Sequence, residues 1–256
     1  MIIDARQRDI ARIALAAAGR KYGVAFAGGG ALQLHDVSER RTQDVDLFVR
    51  KPRDVVRAAA VIAEALRRAG YRVEPVADDA GPGDAGARDA GPGDAGPGDA
   101  GAGNTEAVVA GWPSLEEELR EFEVYPPGGG EPVQVQVAHF AFTNTVATDV
   151  GPAVTLEYLA ARKMVALLER HRVRDYVDIA SLKDTGYELR QLVGLAFAED
   201  PSLTAEDVGD AGVHLDRAIA DERLARELPP GKTPDWVRAA FTDWPREPVH
   251  SDEPLR

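Results

Sequence analysis

The sequence contains no cysteine. Disulfides, thiolate metal sites and a cysteine nucleophile are therefore excluded, and the composition suits a reducing compartment. Histidine is sparse: His35, His139, His171, His214 and His250 are scattered without metal-ligand spacing, which argues against a zinc site. No stretch approaches the roughly 18 uninterrupted apolar residues of a membrane-spanning helix. The opening MIIDARQRDIARIALAAAGRKYG is charged on both sides of its short apolar part, unlike a signal peptide. The expectation is a cytoplasmic protein with no membrane partner. Positive charge is in deficit too: 30 Lys and Arg stand against 43 Asp and Glu, a net charge of −13. Such a balance excludes a uniformly positive surface for gripping long nucleic acid.

Part of that deficit is local. Residues 79 to 103 read DAGPG DAGAR DAGPG DAGPG DAGAG, and with Asp78 the segment holds six aspartates against Arg88 alone, leaving −8 for the rest of the chain. With no apolar side chain larger than alanine, it cannot bury enough surface to offset the entropy of ordering. Residues 78 to 103 are expected to form a disordered acidic insertion in a surface loop, where length costs little. The remaining chain, in a sequence of 256 residues with 44% hydrophobic content, can build one large domain or two small ones.

Periodicity divides it in two. Ile10, Ile13, Leu15 and Ala17 at helical spacing, closed by Gly23, predict a helix over 5–20. YGVAFA and DVDLFVR read as strands, RDVVRAAAVIAEALRRA as an amphipathic helix ended by Gly70, and YRVEPV as a third strand. Alternating runs around PPGGGEP predict a hairpin near 119–125 and 132–140. From about residue 153 the pattern is helical throughout. The fold class expected is α+β: a mixed sheet with packed helices over 1–145, then an all-helical domain over 150–256.

Four local patterns carry chemistry. In DVDLFV, side chains two apart share a face, so Asp44 and Asp46 project together while Val45 packs behind them. Two carboxylates on one wall repel unless a cation lies between them, and hard oxygen ligands suit Mg²⁺. The plain alternative is a solvated pair at a strand end. Upstream, a strand runs into Gly28, Gly29 and Gly30, which is either a tight turn or a place where a phosphate approaches the backbone closely. Thr42, on the face of the two aspartates, adds a hydroxyl. The pattern is neither GxGxxG nor a P-loop. Further on, Lys163 falls within a helical face of Leu156, Leu159, Ala160 and Leu167, either to snorkel or to meet a phosphate. Asp175 and Asp178, i and i+3 on the next helix, either cap its first turn or act in the same cleft, with Arg170, Arg172 and Arg174 nearby.

GGGALQL, RRTQDVDLFV and LEYLAARKMVALLERHRVRDYVDIASL in this order resemble the AbiEii/MenT-type nucleotidyltransferase toxins of the DNA polymerase β nucleotidyltransferase superfamily. The likeness spans about residues 20 to 200 apart from the repeat. It implies a nucleotidyltransferase sheet plus a helical domain with an NTP between them. It also implies transfer of a nucleoside monophosphate to an acceptor hydroxyl, in some relatives at the 3′ end of tRNA, and a cognate antitoxin as partner. Carried over residue by residue, Asp44 and Asp46 would bind Mg²⁺, Gly28, Gly29 and Thr42 would border the phosphates, and Lys163 would hold the triphosphate. Asp175 or Asp178, with Asp175 slightly preferred, would orient or deprotonate the acceptor. Two positions depart from the pattern: Gln134 and Gln136 stand where many relatives carry a third carboxylate, and Gly30 where a hydroxyl residue is common. Two other readings compete: a small-molecule nucleotidyltransferase of the aminoglycoside-modifying type, whose cationic substrate suits an acidic protein, and a degenerate homologue that binds nucleotide or partner without turnover. A basic cleft favours an RNA acceptor and an acidic one the aminocyclitol.

Overall fold

The computed structural model describes residues 3–76 and 119–246; the acidic repeat lies outside the described residues. Helix α1 (Ala5–Tyr22) begins at Asp4, whose carboxylate accepts the Arg6 N–H, and ends at Gly23 in the left-handed conformation. Strand β1 (Val24–Phe26) leads into α2 (Gly28–Leu34), and β2 (Asp44–Val49) follows. A 3₁₀ turn over Pro52–Asp54 opens α3 (Val55–Arg68), and β3 (Arg72–Pro75), β4 (Leu119–Tyr125) and β5 (Val133–His139) complete the expected strands. Two short strands that periodicity does not reveal, β6 (Thr145–Ala147) and β7 (Pro152–Val154), carry the sheet on to residue 154. At three residues each they are too short to show alternation.

The seven strands run in the order β3-β4-β5-β2-β1-β7-β6. β2 lies parallel to β5 and antiparallel to β1, which in turn pairs parallel with β7. Alternation along β2 sorts its side chains cleanly: Val45, Leu47 and Val49 are buried, while Asp44, Asp46 and Phe48 are half-buried on the opposite face. α1 and α3 pack together and cover the apolar face through Ile10, Ala14, Ala58, Ile62 and Leu66.

The remaining described helices are α4 (Leu156–Arg170), α5 (Val173–Asp184), α6 (Leu189–Glu199), α7 (Ala205–Ala220), the short α8 (Leu224–Glu227) and α9 (Pro234–Ala240). α4 starts on Thr155, whose hydroxyl accepts the Tyr158 N–H, and packs against α2, α5, α6 and α7. Its buried residues, Leu159, Ala160, Met164 and Leu167, join one hydrophobic core that continues from the sheet into the helices. Among the described residues no helix is long and apolar enough to cross a membrane.

Candidate nucleotide and metal site

The two aspartates stand where β2 begins, one strand from the turn that ends β1. Ala27 N–H donates to the Asp46 backbone carbonyl at 2.9 Å, which clamps the glycine turn against the strand. Gly28 has φ +62°, and a Cβ there would lie 1.6 Å from Asp46 Oδ2, so this position admits no side chain. The Gly29 N–H hydrogen-bonds the Asp46 carboxylate. A Cβ on Gly29 would come within 3.1 Å of Arg40 Nη2 and 3.5 Å of Thr42 Oγ1, so Gly28, Gly29, Thr42, Arg40 and Asp46 form one compact group. Gly30 faces Phe26 instead: a Cβ there would lie 2.6 Å from Phe26 Cζ, so a side chain at this position requires that ring to move. Gly28→Ala is expected to remove activity by displacing the Asp46 carboxylate, with a loss of Tm from the left-handed backbone, measurable by turnover and thermal melting.

The electrostatics of the pair favour a cation. Burial and the neighbouring Asp46 charge push Asp44 up to about 6, against the pull of Arg174 and Arg40. Burial also raises Asp46, opposed by Lys163, Arg174 and Arg40. The folded state therefore binds the Asp44 proton more tightly than the unfolded chain. Without metal, stability from this group is full below pH about 4, falls as pH rises toward 6, and stays low above that. Asp44→Asn is expected to raise the metal-free Tm by roughly 2–4 °C at pH 8 and by nothing at pH 4, as followed by calorimetry.

Opposite the pair, across the parallel β2–β5 register, stand Gln134 beside Asp44 and Gln136 beside Asp46. β5 therefore offers amides rather than a carboxylate beside the pair. The acids in these rows lie one strand further: Glu123 stands opposite Gln134, and Glu121 stands opposite Gln136 and accepts its amide N–H at 2.8 Å. Two strand spacings, about 10 Å, separate the Glu121 backbone from that of Asp46. Asp44 and Asp46 are thus the metal ligands on offer, and no group of three or more His, Asp or Glu suited to a metal occurs among the described residues. Two carboxylates fit Mg²⁺, which takes one or two from protein and completes its shell with water and phosphate oxygens.

Lys163 is not snorkelling. Its side chain is 13% exposed and its Nζ lies 2.7 Å from Asp178 Oδ2. Asp178 also accepts Arg40 Nε at 2.9 Å and Arg40 Nη2 at 3.4 Å. Burial would raise this carboxyl, but Arg40 and Lys163 together hold it well below the usual carboxylate range. Arg40 is fixed further by Nη1 donating to Glu227 Oε2 at 2.8 Å and to the Arg41 carbonyl at 3.1 Å. One arginine from the loop before β2, whose carbonyl accepts the Gln33 amide, therefore ties α2 to α5 and α8. Asp175 is separate: it is fully buried and accepts Arg170 Nε at 3.0 Å and Nη2 at 2.8 Å. It pairs with the last turn of α4 rather than capping α5. Asp44, Asp46, Lys163 and Asp178 are thus brought into one neighbourhood with Gly28, Gly29 and Thr42, while Asp175 is engaged by Arg170.

A family model described as nucleotidyl transferase AbiEii toxin, type IV toxin–antitoxin system, matches residues 10–243. The chain belongs to the AbiEii toxin family. The match spans both the sheet and the helices, so the likeness of the glycine turn and the DVD strand extends to the whole described architecture. Solved structures agree on the fold. MenT4, a nucleotidyltransferase toxin of Mycobacterium tuberculosis H37Rv, superposes with a TM-score of 0.54 at 13% identity, covering 97% of this chain and 85% of that one. A putative nucleotidyltransferase from H. pylori gives 0.53 at 11%, covering 93% and 92%, and JHP933 from Helicobacter pylori gives 0.51 at 11%, covering 93% and 90%. A search of the curated proteins finds no match. AbiEii membership places this chain among nucleotidyl transferases of toxin–antitoxin systems, for which a cognate antitoxin is the partner.

Proposed function

We propose that this AbiEii member transfers a nucleoside monophosphate from an NTP to a hydroxyl at an RNA end, tRNA foremost, in a Mg²⁺-dependent reaction that its antitoxin restrains. The observation that carries the reading is the meeting of Asp44 and Asp46 with the side-chain-free turn at Gly28 and Gly29 below a lysine buried on Asp178. Asp44 and Asp46 would hold Mg²⁺, which when bound offsets the negative charge of the transferring phosphoryl group. Gly28, Gly29 and Thr42 border the phosphates, and Lys163 is the fixed cation for the triphosphate. The acceptor oxygen attacks the α-phosphorus, the bond from that phosphorus to the bridging oxygen of pyrophosphate breaks, pyrophosphate leaves with that electron pair, and the hydroxyl proton passes to solvent water.

Asp178 acts by holding Lys163 and Arg40 in place. A carboxylate kept so far below its ordinary range is a weak base, so it suits positioning better than proton removal. Asp175, engaged by both guanidinium nitrogens of Arg170, would influence the acceptor only through that arginine. Lys163 and Arg40 are already engaged by Asp178 and Glu227, so the preference for an RNA acceptor over a cationic aminocyclitol rests on membership of a toxin family. The test is incubation of the full chain with Mg²⁺, total RNA and each NTP labelled at the α- or the γ-phosphate. Label from the α position alone, in a tRNA-sized band, supports the reading; γ-label in product, or none from either, contradicts it.

A further inference from the structure

Charge is unevenly placed over the fold. The helix layer on the sheet, residues 5–22 and 51–68, holds ten Lys and Arg against three Asp and Glu, whereas residues 155–246 hold thirteen against seventeen. This layer exposes Arg12 and Arg20 from α1, and Arg53 and Arg57 from α3 and the turn before it. None of the four has an acidic partner within ion-pair distance among the described residues. Between the two helices runs an open groove lined by Ala17, Ala60, Val61, Glu64, Ala65 and Arg68, the last already paired with Glu64 at 3.0 Å. One turn before Ala60, Val56 is 43% exposed on the same side of α3. An acidic protein thus carries one basic, partly apolar helix face with nothing described on it.

The complement lies in the same chain. Residues 77–118, outside the described residues, carry ten Asp and Glu against Arg88 alone, with Val108, Val109, Trp112 and Leu115 as their larger apolar members. Both ends of this segment are anchored beside α3. The chain leaves after β3 and returns at β4, where Val76 N–H donates to the Glu121 carbonyl at 3.2 Å, and Arg67 in the last turn of α3 donates to the Val73 carbonyl at 3.3 Å. From that anchor, about 20 residues of Gly-rich chain reach roughly 25 Å, against a length of about 21 Å for α3. The whole helix face is within reach, at the effective concentration a tether provides.

We propose that the acidic segment 77–118 docks in cis on the basic face of α1 and α3, its carboxylates on Arg12, Arg20 and Arg57 and its apolar residues on the groove, and so shields that face from other polyanions. The inference goes beyond nucleotidyl transfer and stands whether or not the chain carries out that reaction. Charge selects the occupant: a second copy would have to approach one net-negative molecule with another, whereas the tethered carboxylates are already beside the arginines. Contacts between exposed charges are screened at 1 M salt, where the Debye length is about 3 Å. If about nine chains in ten are docked, a competing polyanion binds about ten-fold more weakly than it would to the bare face.

The five lysines of the full chain make the test, since Lys21 and Lys51 lie on the basic layer and Lys183 and Lys232 on the helical half. A zero-length carbodiimide joins a lysine amine to a carboxylate in contact with it, and peptide mapping of mixed ¹⁵N-labelled and unlabelled protein separates coupling within a chain from coupling between chains. Lys232 with Asp184, paired at 2.6 Å, is the positive control. The expected result is coupling of residues 78–118 to Lys21 and Lys51 within one chain, lost in the double variant Arg20→Glu, Arg57→Glu and in 1 M salt. Long-chain inorganic polyphosphate is expected to bind a variant lacking residues 79–103 about ten-fold more tightly than wild type. The same two substitutions should remove that gain, with thermal melting showing each variant folded. Four results would overturn the docking: coupling of the segment to Lys183 or Lys232 as often as to Lys21 and Lys51, coupling mainly between chains, no coupling from the segment while the control pair couples, or polyphosphate affinity indifferent to the segment.

Discussion

Asp46→Asn is expected to slow nucleotidyl transfer by on the order of 10³-fold or more without lowering the melting temperature. The substitution keeps the shape of a side chain wedged beside Gly28, so the turn need not move. It removes one of two negative ligands, and an amide oxygen holds a divalent cation poorly compared with a carboxylate. Because burial already penalises the Asp46 charge, neutralising it relieves strain in the metal-free fold and Tm should hold or rise. Initial rates at saturating Mg²⁺, together with thermal melting, check both halves. An inactive variant that also melts early would make Asp46 a structural rather than a chemical residue.

The second large effect is at Asp178. Its carboxylate is buried between Arg40 and Lys163, and its removal leaves Lys163 without its ion-pair partner and Arg40 with Glu227 alone in a largely buried site. Asp178→Ala is expected to cost about 3–5 kcal/mol of stability. At roughly 2–4 °C per kcal/mol for a chain of this size, denaturant and thermal melts will register it readily. Replacing all three charges with apolar residues of similar volume should return much of that stability, since the pairing offsets its own desolvation penalty, but no activity. The pH sign follows from the lowered carboxyl: its contribution is full above the ordinary Asp range and is lost only as pH falls well below it. If Asp178→Ala leaves Tm unchanged while abolishing turnover, the carboxylate acts directly on substrate and the positioning role is wrong.

Much of the architecture was legible because strong periodicity reports burial. The alternation of DVDLFV and VQVQVAH, the stops at Gly23 and Gly70, and the helical run around Lys163 all correspond to elements within two or three residues of expectation. β6 and β7 escaped because three-residue strands carry no period, and the sheet consequently reaches residue 154.

At the site, the sequence supplied residue types but not partners. That Asp44 and Asp46 share a face follows from a two-residue period, whereas the pairing of Lys163 with Asp178 rather than Asp175 depends on how α4 packs on α5. Arg40 stands in the sequence only as the first residue of RRTQDVDLFV, since loop residues have no periodic signature; its tie to Asp178 and Glu227 spans well over a hundred residues of chain. Glu121 is likewise invisible as a neighbour of Asp44 until β4, β5 and β2 are set in register.

The central claim is that the carboxylate pair and the glycine turn together bind a metal–triphosphate. Calorimetric titration of an NTP analogue with a non-cleavable α,β-bridge, with and without Mg²⁺, tests it without any acceptor. The account expects saturable binding that requires Mg²⁺ and disappears in Asp46→Asn. Equal affinity with and without the metal, or undiminished binding in the variant, would contradict it.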